Sequence, residues 1–362
     1  MSSFTNRSII EKLPKDHFGQ VTEEVIGNLL GRQNAGIYGL PGYGRDYFAK
    51  QIYLILEKEH PEISVIFLNM RLDNDKVSVV QNELKRLTKT DPLDEVAFGK
   101  YLKSHKIIVI INEVSDAKQG ELFKYLSALR AINQTQFTVL VAANYTIYTQ
   151  TDRYLKYSES IFFPLKRIDP FDIDRVKQII QINNTEYNWQ IPLDLTKKIY
   201  FLSGGNPALV KHICMILYEE GFELIEQPQK LAEYQPLKFR ISQIAKLTTE
   251  LSIEQQIYFG LITSNGSLFS SLLAQFLKSN EIDGMHLLFP DLTKTDRRIL
   301  TLFVQNPNKI IDKEQLSIIL EQSASSYSEW AIYKAVARLR DKVKDRYAIQ
   351  TLKGRGWKLQ TN

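Results

Sequence analysis

The sequence predicts an α/β domain built on a parallel sheet, then a helical region, then a small C-terminal domain of three helices and a β-hairpin. Three observations carry this. Short runs rich in Val, Ile and Phe alternate with amphipathic stretches between positions 35 and 167. Helical periodicity takes over after Pro170, and the segment from Leu292 repeats a helix pattern three times before it switches to alternation around "KGRG". Near-continuous apolar runs separated by helices describe strands buried on both faces, hence a parallel sheet with crossover helices.

The strands are expected at 35–39 (AGIYG), 63–69 (ISVIFLN), 106–114 (KIIVIINEV), 137–144 (FTVLVAAN) and 160–165 (SIFFPL). Beyond them, "FDIDRVKQIIQINN", "PLDLTKKIYFLSGG" and "NPALVKHICMILYEEG" read as helices, with Asn206 and Pro207 as the cap and first position of the last. Positions 227–289 read as helical and carry no functional signal. In the tail, "LTKTDRRILTLFVQNPNK" is a helix closed by Asn-Pro-Asn. "DKEQLSIILEQ" is a second helix, capped by Asp312, and "SEWAIYKAVARLRDKVKD" a third, capped by Ser328. The expected domains are therefore 1–168, 169–290 and 291–362.

Composition narrows the function classes. No apolar run approaches the roughly 18 residues of a membrane span, and the N-terminus lacks the pattern of a secretory signal, so a cytoplasmic protein without membrane partners is expected. The single cysteine, Cys214, forms no internal disulfide and in "HICMILY" reads as a packed core thiol. Net charge is +5, but positions 292–362 hold 14 Lys/Arg against 7 Asp/Glu, which leaves the first 291 residues at −2. All the positive excess lies in the tail, which points to nucleic acid as its partner.

The stretch "GLPGYGRD" has the glycine frame of a phosphate loop, G-x-x-x-x-G-K-[S/T], with Gly39 and Gly44 in register and Gly42 between them. Such a loop lets backbone N–H groups surround an anion at a helix N-terminus, while a lysine and a hydroxyl supply charge and a magnesium ligand. Here Arg45 and Asp46 stand in the last two positions. The loop follows a strand and opens a helix. Asn112 and Glu113 end a later apolar strand, Asn144 ends the next, and "LSGGNPALV" follows.

On these motifs, over about residues 17–220, the chain resembles the AAA+ and related signal-transducing (STAND) P-loop ATPases. The resemblance makes Gly39 to Asp46 a Walker A loop, Asn112 and Glu113 the end of the Walker B strand, Asn144 the sensor-1 residue and the Gly-Gly-Asn-Pro turn part of the lid. Gln20 stands where the family usually has an arginine. The family's lysine, hydroxyl and aspartate hold phosphates and Mg²⁺ and its glutamate polarises the attacking water. This chain keeps only Glu113, the catalytic residue if the site is active. A degenerate site and a pseudo-ATPase are expected, with no certain cofactor and no metal site of its own; ATP with Mg²⁺ belongs to the alternative. Two readings of Asp46 stay open: a helix cap that fills the anion's place, or one half of an exchanged Asp46/Asn112 pair that still holds a metal. Arg153 reads as a surface arginine or an arginine finger.

The third tail helix places Ile332, Val336, Leu339 and Val343 on one stripe and Lys334 and Arg338 opposite, with Tyr333, Arg340 and Lys344 on the flank. With Thr351, Lys353, Gly354, Gly356 and Trp357 in the hairpin, the segment 292–360 resembles the OmpR/PhoB-type winged helix. The resemblance implies double-stranded DNA as partner, with Lys334 and Arg338 facing the groove, Arg340 beside them, Trp330 near the helix start and Lys353 or Arg355 reaching from the wing. Ala331, Ala335 and Ala337 stand where relatives often place base-reading groups. The function expected is a DNA-binding regulator whose AAA+-like domain serves assembly, as a homo-oligomer or with a protein partner. The alternatives are an ATP-driven switch on DNA and a scaffold whose winged helix binds protein.

Overall fold

The computed structural model describes residues 7–70, 76–114, 120–152, 159–263, 266–279, 289, 292–321, 329–344 and 347–360. Arg153 and Ser328 lie outside them. Five strands, β1 (Ala35–Gly39), β2 (Ile63–Asn69), β3 (Lys106–Val114), β4 (Phe137–Asn144) and β5 (Leu165–Arg167), form one sheet in the order β2-β3-β4-β1-β5. Every pairing is parallel. β1 and β4 are central, and all five residues of β1 are buried, which is what an apolar run covered by helices on both faces requires.

The fifth strand lies later than the sequence suggests. Glu159–Phe162 is a helical turn, and β5 begins only after Pro164. A short apolar run does not distinguish strand from buried helix, and the residue before a proline leaves the helical region. Phe162 is buried edge-on against Phe123 at 4.7 Å, so the run contributes to the core from a helix.

One hydrophobic core runs from Phe18 to Leu277, so the sheet and the helices after Pro170 share buried surface. Cys214 sits within it, fully buried, its thiol pushed up to about 12 by burial. Among the described residues no helix is long and apolar enough to cross a membrane.

A second core, Leu292 to Leu359, belongs to the C-terminal domain. Its first helix, Lys294–Gln305, opens on a capping box in which the Thr293 hydroxyl accepts from the Asp296 N–H at 3.1 Å and the Asp296 carboxylate from the Thr293 N–H at 3.2 Å. Asp312 caps the second helix, Lys313–Glu321, by accepting from the Gln315 N–H at 2.9 Å. The third, Glu329–Val343, buries Ile332, Val336, Leu339 and Val343 as its stripe requires, each worth about 1.5–3 kcal/mol of transfer free energy.

The hairpin is β7 (Ala348–Leu352) and β8 (Gly356–Gln360). A short strand that sequence patterning misses, β6 (Ile310–Ile311), pairs with β8. Gly356 has φ 127°, and a Cβ there would lie 2.2 Å from the Ile311 carbonyl oxygen, so only glycine lets the wing cross β6. The α/β sheet with its glycine loop, the helices after it and the winged helix are the fold class expected.

Candidate functional site

The loop after β1 bends through Gly42 (φ 87°) and Gly44 (φ 84°) into helix Arg45–Glu59, whose N-cap is Gly44. Asp46 is therefore inside the helix, and its carboxylate does not serve as the cap. It is bound on both oxygens: Oδ1 accepts from Asn112 Nδ2 at 2.5 Å and Oδ2 from Lys50 Nζ at 2.8 Å. Lys50 lies one turn on, the spacing at which helix side chains meet, and is 8% exposed. The helix-cap reading of Asp46 gives way to a three-residue cluster, and the Asp46/Asn112 pair is in direct contact.

Asn112 and Glu113 are consecutive, and in a regular strand they would face opposite sides of the sheet. A register shift between Ile111 and Val114, with Glu113 in the left-handed region at φ 65°, turns both into the same cleft. A non-glycine residue in that conformation costs on the order of 1–3 kcal/mol. Asn144 at the end of β4 accepts from the Thr146 N–H at 2.9 Å and from the Thr146 hydroxyl, just ahead of the short helix Thr146–Thr149. Neither Asn144 nor Gly39 lines the cleft; Gly42, Gly44, Arg45, Asp46, Asn112 and Glu113 do.

The cleft has a volume of about 490 Å³ and continues away from the loop between apolar residues. His17 and His212 line it, and burial holds both imidazoles below the usual histidine range. Over the loop sits helix Pro207–Glu220, capped by Asn206, whose Oδ1 accepts from the Ala208 and Leu209 N–H groups. The same segment holds the loop: Asn206 Nδ2 donates to the Pro41 carbonyl and the Ala208 N–H to that of Gly42, both at 3.2 Å. A Cβ on Gly42 would meet Asn206 Oδ1 at 2.6 Å, so the turn is both a helix start and a clasp.

On the C-terminal domain, Trp330 (69% exposed) and Tyr333 (44%) stand out from helix Glu329–Val343, and Lys334 Nζ lies over the Trp330 ring at 4.9 Å. Lys353 and Arg355 are exposed at the tip of the wing. Trp357 is buried and meets the Tyr333 ring edge-on at 5.2 Å, fixing wing to helix.

Residues 290–359 match the family model described as "Transcriptional regulatory protein, C terminal". This segment is similar to the C-terminal domains of transcriptional regulators. No curated protein matches the chain. Among solved structures it is similar to Cdc6p of Pyrobaculum aerophilum (12% identity, 96% of this chain and 92% of that one, TM-score 0.41). It is also similar to the Orc1 protein of Aeropyrum pernix, solved in complex with DNA (11%, 99% and 90%, TM-score 0.38). A third is domain III of the Thermotoga maritima replication initiation protein DnaA (18%, 67% and 98%, TM-score 0.38).

Within the regulator domain the residues expected at DNA divide into two groups. Arg338, its side chain 45% exposed, donates from Nε and Nη2 to Asp296 Oδ1 at 3.1 and 2.5 Å, with Lys342 Nζ 3.7 Å from Oδ2. Asp296 has no exposed surface, and burial alone would raise its carboxyl; hydrogen bonds from Arg338 and Thr293 and the Arg338 charge hold it below the usual range. Arg340 donates to the Thr351 hydroxyl at 2.5 Å and so bonds to β7. Ala335 is buried, a core residue rather than a base-facing one, whereas Ala337 is exposed. Trp330, Lys334, Lys353 and Arg355 are exposed without such a tether to the domain's own core. Sequence reasoning missed Lys50 and Asp296, although the i,i+4 spacing to Asp46 and the Thr-x-x-Asp capping pattern were there to read.

Among the described residues no three His, Cys, Asp or Glu side chains gather as a metal site would need.

Proposed function

We propose that the protein is a DNA-binding transcriptional regulator whose C-terminal domain, 291–362, engages duplex DNA through Trp330 and Lys334 on the recognition helix and Lys353 and Arg355 on the wing. The observation that carries this is the outward cationic and aromatic face on the segment that matches the regulator family. Lysine and arginine at a groove neutralise phosphates and release counterions, so binding is expected to weaken steeply with salt. Arg338 and Arg340 are tied to Asp296 and Thr351, and their proposed part is to hold the helix against the first helix and the wing. A mobility-shift titration of duplex DNA against salt tests the reading. Lys334→Ala combined with Lys353→Ala lowers the affinity and the salt dependence; an unchanged titration contradicts the assignment and favours the scaffold alternative.

The α/β domain, 1–168, with its lid and middle region, 169–290, is proposed to serve assembly or partner sensing without hydrolysis. The residues that stand for the family's lysine, hydroxyl and aspartate are Arg45, Asp46 and Asn112, and both Asp46 oxygens are engaged by Asn112 and Lys50. That set does not fit a magnesium nucleoside triphosphate: an internal ion pair stands beside the loop where a hydroxyl would hold the metal. Arginine's planar head does not replace lysine inside a tight loop. Glu113 is retained, and its strained backbone aims it into the cleft. Magnesium-dependent ATP turnover that Glu113→Gln abolishes would favour the switch alternative instead.

A further inference from the structure

The strand ends opposite the glycine loop carry positive charge that the α/β domain leaves without a carboxylate partner. We propose that this face is a second contact for duplex DNA, one that grips the phosphate backbone and does not read sequence. It is additional to the contact assigned to the C-terminal domain and is tested apart from it.

Because all five strands are parallel, their N-terminal ends gather on one side of the sheet and the glycine loop lies on the other. Three segments meet on that side: 31–34 before β1, 103–106 at the start of β3 and 130–136 before β4. They are tied together, the Ile107 N–H donating to the Gln136 carbonyl at 2.8 Å and the Val139 N–H to Asn34 Oδ1 at 2.9 Å. Between them they hold Arg32, Lys103, His105, Lys106 and Arg130, and no Asp or Glu. The first 291 residues have 32 Lys/Arg against 34 Asp/Glu, so the cluster runs against the charge of the chain around it.

Neutral carbonyls hold these cations in place without cancelling their charge. Lys106 Nζ donates to the Leu30 carbonyl at 2.8 Å, and Arg130 donates to the Phe137 and Arg32 carbonyls at 2.7 and 3.1 Å. An ammonium has three donors and a guanidinium five, so each keeps donors for a further acceptor. Burial holds Lys106 below the usual lysine range, with the Arg32 charge adding to it, and holds Arg130 below the usual arginine range. A phosphate beside them would supply the missing counter-charge. Glu62, at the start of the neighbouring β2, lies 3.4 Å from His60.

Backbone strain at Arg32 is an independent sign. Arg32 follows Gly31, the C-cap of helix Gln20–Leu30, and sits in the left-handed region at φ 72°, where glycine is the relaxed residue. It is exposed, and among the described residues no carboxylate pairs with it. A strained position that presents a charged side chain to solvent points to a use for that side chain.

The groups around the cations select DNA over protein. None of the three segments exposes a large apolar side chain, so the face lacks the apolar or aromatic anchor on which protein interfaces centre. Gln33, Ser104, Gln134 and Thr135 are exposed there instead. Amides and hydroxyls beside arginine and lysine are the usual donors to DNA phosphates. A duplex already held by the C-terminal domain would meet this face at raised effective concentration.

Mobility-shift titration of the full chain with a random-sequence duplex, repeated across salt concentrations, tests this. Arg32→Gly with Lys103→Gln is expected to lower the slope of log affinity against log salt by about 2, one for each phosphate no longer neutralised. The same fall is expected on top of Lys334→Ala with Lys353→Ala, and the melting transition should persist because glycine relaxes position 32. Arg32→Lys, which keeps both charge and strain, should leave the slope unchanged. An unchanged slope in Arg32→Gly with Lys103→Gln overturns the proposal, as does an equal fall in Arg32→Lys. A polyglutamate peptide that binds the unaltered chain but not the double variant, with DNA affinity unmoved, makes the face a site for acidic protein and also overturns it. A fall here with none from Lys334→Ala and Lys353→Ala supports this face and contradicts the C-terminal assignment; the reverse pattern contradicts this face alone.

Discussion

The glycine loop and the recognition helix each present a charged residue that motif matching assigns to a ligand, and in each the fold has already paired it. At the loop, Asp46 is held by Asn112 and Lys50 on the surface a ligand would have to approach. On the recognition helix, Arg338 bonds to the buried Asp296 while its side chain stays 45% exposed, and Lys334 and the wing cations are exposed without that tether. In the proposed reading the same device, an internal ion pair, obstructs one site and braces the other. What decides the outcome is which side of the functional surface the pair occupies.

The largest expected effect comes from breaking the brace. Asp296→Ala removes a fully buried carboxylate that serves two cations and a capping box, and should destabilise the C-terminal domain by about 3 kcal/mol, read by chemical denaturation of the full chain. A change under about 1 kcal/mol would mean the pair is ornamental to the fold. Lys50→Met breaks the obstruction instead, leaving Asp46 with only Asn112, and is expected to cost about 2 kcal/mol in the larger domain. The two losses should appear in separate transitions if the two cores unfold independently.

Next in size is the outward face. Lys334→Ala with Lys353→Ala should lower the slope of log affinity against log salt by about 2, roughly one for each phosphate that is no longer neutralised. Arg338→Ala should act through stability, with a smaller change in slope, and an equal fall in slope would put Arg338 at the DNA after all.

The smallest effect is a pH drift at the cleft. Burial lowers the His17 imidazole, with the Gln178 hydrogen bond opposing. A folded-state value below the unfolded one means the unfolded chain takes up the proton first. Stability is therefore complete above the ordinary histidine range and declines as pH falls below about 6.5. His17→Phe should flatten that decline in melting experiments.

Much of this architecture is legible in the sequence because its signals are local. β1 to β4 coincide with the apolar runs, and the Asn206-Pro207 cap and the Ile332 to Val343 stripe are read from spacing alone. The β5 run is ambiguous because a few apolar residues suit either a strand or a buried helix, and β6 is too short to show periodicity. The sites are less legible. Their partners are distant: Asp46 and Asn112 are 66 positions apart and Asp296 and Arg338 are 42 apart. Burial of Lys50 and Asn183 is set by elements that arrive from elsewhere in the chain, so composition alone marks them as surface residues.

The most direct test is the salt dependence of duplex-DNA binding by the full chain, measured by mobility shift with and without ATP and Mg²⁺. The proposed reading, an obstructed loop beside a DNA-binding face, predicts a steep salt dependence that the nucleotide leaves unchanged. A nucleotide-dependent shift in affinity, or DNA binding indifferent to salt, would contradict it.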